Sequence, residues 1–278
     1  MTKLRSQYWA TTLPHLRAIA AGQLQSQAEY WAARTAPRAA GDVAVIPILG
    51  TITQRSPWYG SSTEFIGNAL RAALADGSRA IVLEFDSPGG EVYGVDELAT
   101  LIRAARATKP IVAVANALAA SAAYYLAAQA DELLVTPSGE VGSIGVYGGH
   151  EDWSGALDQM GIVITLISAG EGKTDGNPFE ALSDEARADM QSAVDRYYGM
   201  FVGAVAKGRK VSVETIRSSW KAKVYGAKEA VAIGMADGVG TLDDAIRRAA
   251  ALSTDRRAVA ASVELEAERR TRVRARSA

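Results

Sequence analysis

A serine among alanines and a glycine-rich turn are the parts of this sequence best suited to chemistry. Ser121 lies in the run Ala119-Ala120-Ser121-Ala122-Ala123, where small neighbours leave its hydroxyl uncovered. The turn 86–90, Asp-Ser-Pro-Gly-Gly, lets another molecule come close to its backbone. A hydroxyl beside free backbone N–H groups suits acyl transfer, because N–H groups stabilise an oxyanion. Each motif is common when alone, since a serine at a helix start usually only caps the helix.

Two backbone segments could supply such an oxyanion hole. One N–H comes from the Gly89-Gly90 pair, and the other belongs to Ala122, the residue after the serine. Both segments precede predicted helices, and the first N–H groups of a helix have no partner within it. The sequence therefore predicts two donors that converge near the Ser121 hydroxyl.

A serine nucleophile needs a base, and this chain offers few. Its two histidines are His15 and His150, so a histidine triad would depend on His150. The better candidate is Lys173, in the polar loop 168–178. A lysine accepts a proton only as a neutral amine, which burial favours. The residues by themselves leave both possibilities open.

The elements that must position these residues alternate along the chain. Short apolar runs predict strands at 43–49, 80–85, 111–115, 132–135 and 161–168, and amphipathic or apolar stretches predict helices at 63–75, 94–107, 121–130 and 183–207. Such alternation is typical of an α/β fold with a parallel sheet. The turn 86–90 and Ser121 then follow neighbouring strands at their carboxyl ends, where ligands bind in such sheets.

The two ends of the chain differ from this central part. Residues 1–40 are rich in Ala and Gln, and Trp9, Leu13 and Leu16 recur at helical spacing, so we expect a helical N-terminal arm. Residues 249–278 are rich in Ala, Glu and Arg and predict a frayed helical or disordered tail. The remaining domain covers 41–248.

Composition excludes several classes of function. The chain has 278 residues, 48% of them hydrophobic, and a net charge of −1, so no basic excess points to nucleic acid. It has no cysteine, which excludes disulfides, thiol catalysis and cysteine-based zinc sites. We expect neither a metal nor a cofactor. No apolar run is long enough for a transmembrane helix, and no export signal is evident, so we expect a cytoplasmic protein.

Four motifs in order carry a family resemblance. They are 87–90 (Ser-Pro-Gly-Gly), 119–125 (Ala-Ala-Ser-Ala-Ala-Tyr-Tyr), 141–146 (Val-Gly-Ser-Ile-Gly-Val) and Gly172-Lys173 with the helix start that follows it. From residue 43 to residue 246 the chain resembles the signal-peptide-peptidase A family of Ser-Lys peptidases. The resemblance implies the α/β fold of the Clp/crotonase type, with a parallel sheet of repeated ββα and βα units.

The resemblance also implies a role for each matching residue. Ser121 matches the nucleophile and Lys173 the general base. Gly90 and Ala122 match the oxyanion donors, and Ser143 matches a hydroxyl that orients the lysine amine. The chain departs from the family where two alanines follow the serine in place of two glycines. Alanine still supplies the N–H, but clearance for substrate near the nucleophile changes.

Within this family the chain resembles the phage branch, the head-maturation (prohead) proteases that cut scaffold and capsid proteins. The sequence of residues 145–151, Gly-Val-Tyr-Gly-Gly-His-Glu, and the missing membrane anchor favour that branch. The implied partners are peptide or protein substrates, other copies of the chain in a homo-oligomer, and capsid, scaffold or portal proteins. The alternative is a soluble bacterial peptidase that degrades signal peptides or other fragments.

Two other classes of function share some of these features. Acyl-CoA hydratases and isomerases of the crotonase type also use two backbone N–H groups, but they rely on acidic residues. Here Asp86 and Glu91 flank the glycine turn, where we expect them to cap it. A non-catalytic assembly subunit is the other class, and the intact set of Ser121, Ser143 and Lys173 argues against it.

Overall fold

The computed structural model describes residues 9–10, 34–55 and 60–276. Its strands are β1 (Trp9–Ala10), β2 (Arg38–Ala40), β3 (Val43–Leu49), β4 (Thr51–Thr53), β5 (Gly60–Ser62), β6 (Ala80–Ser87), β7 (Gly90–Glu91), β8 (Ile111–Ala120), β9 (Glu132–Val135), β10 (Glu140–Gly142), β11 (Val224–Gly226) and β12 (Gly238–Val239). Its α-helices are α1 (Thr63–Ala75), α2 (Val95–Ala105), α3 (Ala122–Ala127), α4 (Ser154–Gln159), α5 (Asp184–Arg209), α6 (Ala227–Ala232) and α7 (Leu242–Arg276), with a π-helix at Thr215–Trp220.

The larger sheet is mostly parallel. Its strands follow the order β11-β10-β8-β6-β3-β2, and β9 lies beside β8 with β12 beyond it. The central neighbours β3, β6 and β8 pair in parallel, as do β8 with β9 and with β10. Only β2 and β11 pair antiparallel within this sheet. The predicted α/β class with a parallel sheet is therefore confirmed.

Both faces of this sheet are buried, which explains why its strands are almost wholly apolar. Alternate residues of β3 face opposite sides, so Ile46 and Ile48 join one apolar cluster while Val43 and Val45 join the other. The first cluster includes residues of α1, α2, α3 and α5, and the second is closed by Ala245 and Ala249 of α7. Each such fully buried aliphatic side chain contributes about 1.5–3 kcal/mol to folding.

The major helices begin where the sequence offers capping residues. The Ser62 hydroxyl accepts a hydrogen bond from the Phe65 N–H at the start of α1. The Ser183 hydroxyl does the same for Ala186 at the start of α5. These contacts satisfy N–H groups that lack a partner within the helix. The predicted helices at 63–75 and 183–207 are thus confirmed.

Two predictions about elements were wrong. Residues 161–168 form no strand, and their side chains are exposed, with Val163 at 89% and Ile167 at 96%. Strand β8 runs to Ala120, through residues predicted as a loop, and Ala117 has a φ of 118° within it. The C-terminal residues 249–276 are helical, as one of the two predicted alternatives has it, and they continue α7, which begins at residue 242.

A smaller sheet beside the main one was not predicted. Its order is β1-β7-β4-β5, and each of its strands has only two or three residues. The predicted helical arm 1–40 lies mainly outside the described residues. Of its described parts, residues 34–35 are helical, whereas Trp9–Ala10 and Arg38–Ala40 are strands. The domain limits 1–40, 41–248 and 249–278 stay predictions.

A helix that crosses a bilayer must be long and apolar. Among the helices that the structure describes, none is both long enough and apolar enough to cross a membrane.

Candidate active site

Ser121 lies at the junction between β8 and α3. Its N–H donates to the carbonyl of Gly142 on β10 at 2.7 Å. Its backbone has φ 55° and ψ −121°, a conformation that residues with a Cβ rarely adopt. Such strained residues persist where the surrounding structure holds them, and they cluster at active sites.

The Ser121 hydroxyl is buried and unpartnered. The residue is only 1% exposed, and its Oγ has no hydrogen-bond partner among the described residues. Although Ser121 precedes α3, its side chain makes no capping bond. The interpretation of Ser121 as an ordinary capping serine is therefore wrong, and its hydroxyl is left available for another reaction partner.

The glycine turn lies next to Ser121 because β6 pairs with β8. Ser87, the last residue of β6, is the register partner of Ala119, two residues before the serine. The Ser87 hydroxyl donates to the carbonyl of Gly50 at 2.6 Å and accepts from the N–H of Gly89 at 3.1 Å. These two bonds hold the turn in one conformation.

Gly90 follows this turn and begins β7. A Cβ at this position would overlap the carbonyl of Ile52 on β4, so only glycine fits. The Ile52 N–H in turn donates to the carbonyl of Gly89 at 2.9 Å. The sequence suggested that the two glycines let a substrate come close to the backbone. In the structure, the group that comes close to Gly90 is the backbone of β4.

The third motif reaches the serine through β10. Gly142 is the register partner of Ala120, the residue immediately before Ser121. The next residue, Ser143, has a φ of 57°, and its N–H donates to the carbonyl of Lys223 at 2.7 Å. Three of the four motifs are thus joined in adjacent strands around one buried hydroxyl.

The two candidate bases are placed elsewhere. The side chain of Lys173 is exposed, and its backbone N–H closes a turn with the carbonyl of Gly170 at 3.3 Å. His150 has its Nε2 2.8 Å from the carbonyl oxygen of Asn177, in the loop that follows the lysine. Since Ser121 Oγ has no partner among the described residues, neither base is hydrogen-bonded to it.

The acidic residues beside the turn differ in their surroundings. Burial raises the pKa of the Glu91 carboxyl, and the N–H of Gln54, which donates to it at 3.1 Å, opposes that rise. Burial also raises the pKa of Asp86, an effect that the charge of Arg34 opposes. Glu91 thus accepts a bond from Gln54, the residue after β4, and this bond lies outside the turn 86–90 that Glu91 was predicted to cap.

An apolar pocket next to the three motifs was missed at the sequence level. Its empty space, including the part open to solvent, is about 290 Å³, and it is lined by Val92, Val95, Asp96, Tyr125, Val146, Tyr197, Met200 and Phe201. Each of the three motifs is linked to one lining residue: Val92 follows the first motif by two residues, and Tyr125 and Val146 are the last residues of the other two.

Tyr125 is held firmly in the wall of this pocket. Its hydroxyl donates to Asp96 Oδ1 at 2.7 Å, and its ring stacks on that of Phe201 with centroids 4.7 Å apart. Burial, together with the Asp96 carboxylate, raises the pKa of Tyr125. The spacing of Ser121 and Tyr125, one helical turn, was the one sequence signal for this wall.

Tyr147 is a further polar residue that the sequence analysis did not single out. Its hydroxyl is buried and has no hydrogen-bond partner among the described residues. Burial raises its pKa to about 12. Among the described side chains, only Ser121 and Tyr147 have a buried polar atom without such a partner.

Within residues 9–10, 34–55 and 60–276, no group of three or more His, Asp or Glu side chains is arranged to hold an ion.

Comparison with known proteins identifies similar sequences. The model of "Peptidase family S49" matches residues 103–255. The chain is 37% identical over 82% of its length to the head-tail preconnector protein GP5 of Enterobacteria phage P21. It is 36% identical over 73% of its length to the capsid assembly protease C of Escherichia phage lambda. Protease 4 of Salmonella typhi is 31% identical over 88% of this chain.

The extent of these matches differs between the proteins compared. The chain spans 47%, 48% and 39% of the lengths of those three relatives, respectively. Among solved structures, a mutant of ClpP1 from Listeria monocytogenes matches with a TM-score of 0.47 and 15% identity, over 72% of this chain and 93% of that one.

Proposed function

The chain belongs to peptidase family S49, whose model matches more than half of it, and we propose from this premise that it is a serine endopeptidase with Ser121 as its nucleophile. The observation that carries the proposal is the buried, unpartnered hydroxyl of Ser121 at a strained junction. A capping or core serine would have a hydrogen-bond partner, because an unsatisfied buried hydroxyl lowers stability. A nucleophile instead has to keep its oxygen free for substrate.

The proposed reaction is acyl transfer to Ser121. Lys173, as a neutral amine, takes the proton of the hydroxyl while Oγ attacks the peptide carbonyl. The N–H groups of Gly90 and Ala122 stabilise the oxyanion, and loss of one such donor typically costs about 10²–10³ in rate. The leaving amine receives the proton from Lys173, and water then hydrolyses the acyl-enzyme. Ser143 is proposed to orient the lysine amine.

Lys173 can act as this base only if something removes it from water. The segment before it, 162–167, presents apolar side chains to solvent, including Val163 and Ile167. Exposed apolar patches of this kind mark interaction surfaces. We therefore propose a homo-oligomer in which a second copy of the chain packs on segment 162–167. Burial at that interface would favour the neutral form of Lys173.

The apolar pocket supports a proposal about the substrate. Most of its lining is apolar (Val92, Val95, Val146, Met200 and Phe201), and its one carboxylate, Asp96, accepts the hydrogen bond of the Tyr125 hydroxyl. An apolar residue near the scissile bond would bury its surface there, at about 25 cal/mol per Å². Charged residues at that position would have to lose their hydration, so we expect them to be rejected.

A role in capsid maturation is the biological function that we propose. Two relatives at 36% and 37% identity are named a capsid assembly protease and a head-tail preconnector protein, both from phages. The proposed partners are thus scaffold, capsid or portal proteins, and the proposed location is the host cytoplasm or the procapsid. Genes for portal and major capsid proteins next to this one would support the role. An isolated bacterial gene would favour a signal-peptide-peptidase-like role instead.

A fluorophosphonate probe tests the proposed chemistry directly. We expect it to label wild-type protein at Ser121, whereas Ser121→Ala should neither react nor cleave peptides. Lys173→Ala should lose both reactions, while Lys207→Ala, which removes another exposed lysine, should keep them. Labelling at another residue, or peptide cleavage at the wild-type rate by Ser121→Ala, would refute the assignment. A hydratase or a non-catalytic subunit should not react with the probe at all.

A further inference from the structure

Residues 9 and 10 of the chain lie beside the glycine turn as a short strand. Strand β1 pairs antiparallel with β7, with Trp9 opposite Glu91 and Ala10 opposite Gly90. On its other side β7 pairs with β4 through Ile52. The edge of β7 that faces away from β4 is thus occupied by the chain's own N-terminal residues.

The direction of the Gly90 N–H follows from the bonds around it. The described residues contain no cis peptide bond, so the C=O of Gly89 and the N–H of Gly90 point to opposite sides of their peptide plane. The Gly89 carbonyl faces β4, because it accepts the Ile52 N–H at 2.9 Å. The Gly90 N–H therefore points to the side of β7 where β1 lies.

This is the N–H that the proposed function assigns to the oxyanion hole. A peptide whose carbonyl is attacked by Ser121 has to bring that carbonyl to the Gly90 N–H. An extended peptide would do so by adding itself as a strand to the edge of β7, the usual way in which a sheet edge binds peptides. Residues 9–10 occupy the same edge.

From this shared edge we propose that the chain's own residues Trp9 and Ala10 compete in cis with peptide substrates for the edge of β7. This inference rests on the proposed function, because it takes Gly90 as an oxyanion donor. A tethered segment is present at a high effective concentration, so even a short pairing can compete with free peptides. Because β1 has only two residues, substrate can displace it through the gain of a few backbone hydrogen bonds.

A disulfide between β1 and β7 provides the first test, in the full chain. The sequence has no cysteine, so Trp9→Cys with Glu91→Cys introduces the only thiol pair. Residues directly opposite in an antiparallel pair have Cβ atoms about 4.5–5.5 Å apart, close to the 3.5–4.5 Å of a disulfide. Each variant is compared with itself, oxidised and reduced, by peptide hydrolysis and by fluorophosphonate labelling.

We expect the oxidised double variant to lose at least tenfold in kcat/KM and in labelling rate, with full recovery on reduction. The single variants Trp9→Cys and Glu91→Cys have no second thiol in their own chain, so their activity should not depend on redox state. Hydrolysis that continues through a disulfide verified by intact mass would overturn the inference. Failure of the disulfide to form would overturn it as well, since the two strands would then not be neighbours.

In a second test, a substitution in β1 weakens its pairing with β7, whereas the disulfide locks that pairing. Ala10→Pro removes the backbone N–H of this residue and disfavours strand pairing. Ala10→Ser keeps the N–H and can still pair. We expect Ala10→Pro to raise kcat/KM about fivefold, the equivalent of one backbone hydrogen bond, and Ala10→Ser to match wild type. An unchanged kcat/KM in Ala10→Pro would contradict competition by this segment. If wild type itself neither labels nor cleaves peptides, the proposed function fails, and this inference fails with it.

Discussion

Replacing the Ser121 hydroxyl should make the protein more stable while it abolishes catalysis. The hydroxyl is buried without a hydrogen-bond partner among the described residues, and an unsatisfied buried polar group costs about 1–3 kcal/mol. Ser121→Ala removes this cost, keeps the Cβ and leaves no other group unpaired. We therefore expect the free energy of unfolding to rise by about 1 kcal/mol, the low end of that range.

Ser87 provides a matched control, because the same substitution there should have the opposite sign. Ser87 is fully buried, and its hydroxyl joins the carbonyl of Gly50 to the N–H of Gly89. Ser87→Ala breaks both bonds within the core. Since each lost partner costs about 1–3 kcal/mol, we expect a total loss of about 2–3 kcal/mol.

Equilibrium unfolding in guanidinium chloride, followed by tryptophan fluorescence, measures both effects. The two variants should differ by about 3–4 kcal/mol at similar m-values, and in thermal unfolding by roughly 2 °C in Tm per kcal/mol for a chain of this size. A fall of more than about 1 kcal/mol in the free energy of unfolding of Ser121→Ala would refute this prediction, because the wild-type Ser121 hydroxyl would then have a stabilising partner. A neutral Ser87→Ala would refute the account of the turn.

Two further predictions concern α5 and its end. Gly208→Ala should destabilise the protein by about 2 kcal/mol, because a Cβ there overlaps the carbonyl of Ala128. Gly203→Ala should stabilise it by up to about 1 kcal/mol, because the space around Gly203 is open. The midpoints of denaturant unfolding test both. Asp237→Asn should cost about 2 kcal/mol at pH 7, since the Arg209 side chain, 8% exposed, loses its charged partner 2.7 Å away. Burial alone would raise the pKa of Asp237, but the hydrogen bond and charge of Arg209 lower it. The stabilisation by the Asp237 carboxylate is therefore fully present above its unfolded pKa of about 4 and is lost as the pH falls through its lower folded pKa. The free energies of unfolding of wild type and Asp237→Asn should thus converge in acid. A difference that grows as the pH falls would contradict this prediction.

The sequence predicted the central strands and large helices because local pattern and burial agree there. Strands β3 and β6 are apolar runs buried on both faces, and α1 and α5 have capping serines and amphipathic turns. The prediction of a strand at 161–168 was wrong, since alternating apolar residues form a strand only beside a pairing partner. The strands of the smaller sheet were missed because two or three residues carry no readable period.

The candidate site divides in the same way. Ser121, the glycine turn and the candidate base Lys173 were found from residue types. The family resemblance added Ser143 and decided for Lys173 over His150 and for Gly90 as the donor. Apart from the spacing of Ser121 and Tyr125, no local pattern signals the apolar pocket, because its walls come from α2, α3 and α5 together with Val92 and Val146. Nor does any local pattern place residues 9–10 beside β7, since pairing between residues about eighty positions apart depends on the whole fold.

The sequence by itself determined which residues can do chemistry and which segments form the parallel sheet, because residue type, capping and periodicity are local properties. The tertiary structure alone decided that the Ser121 hydroxyl is buried without a partner and that β8 joins Ser87 on one side to Gly142 on the other. It also placed Lys173 at the surface. Burial and strand register result from many distant contacts together, so they cannot be obtained from a motif.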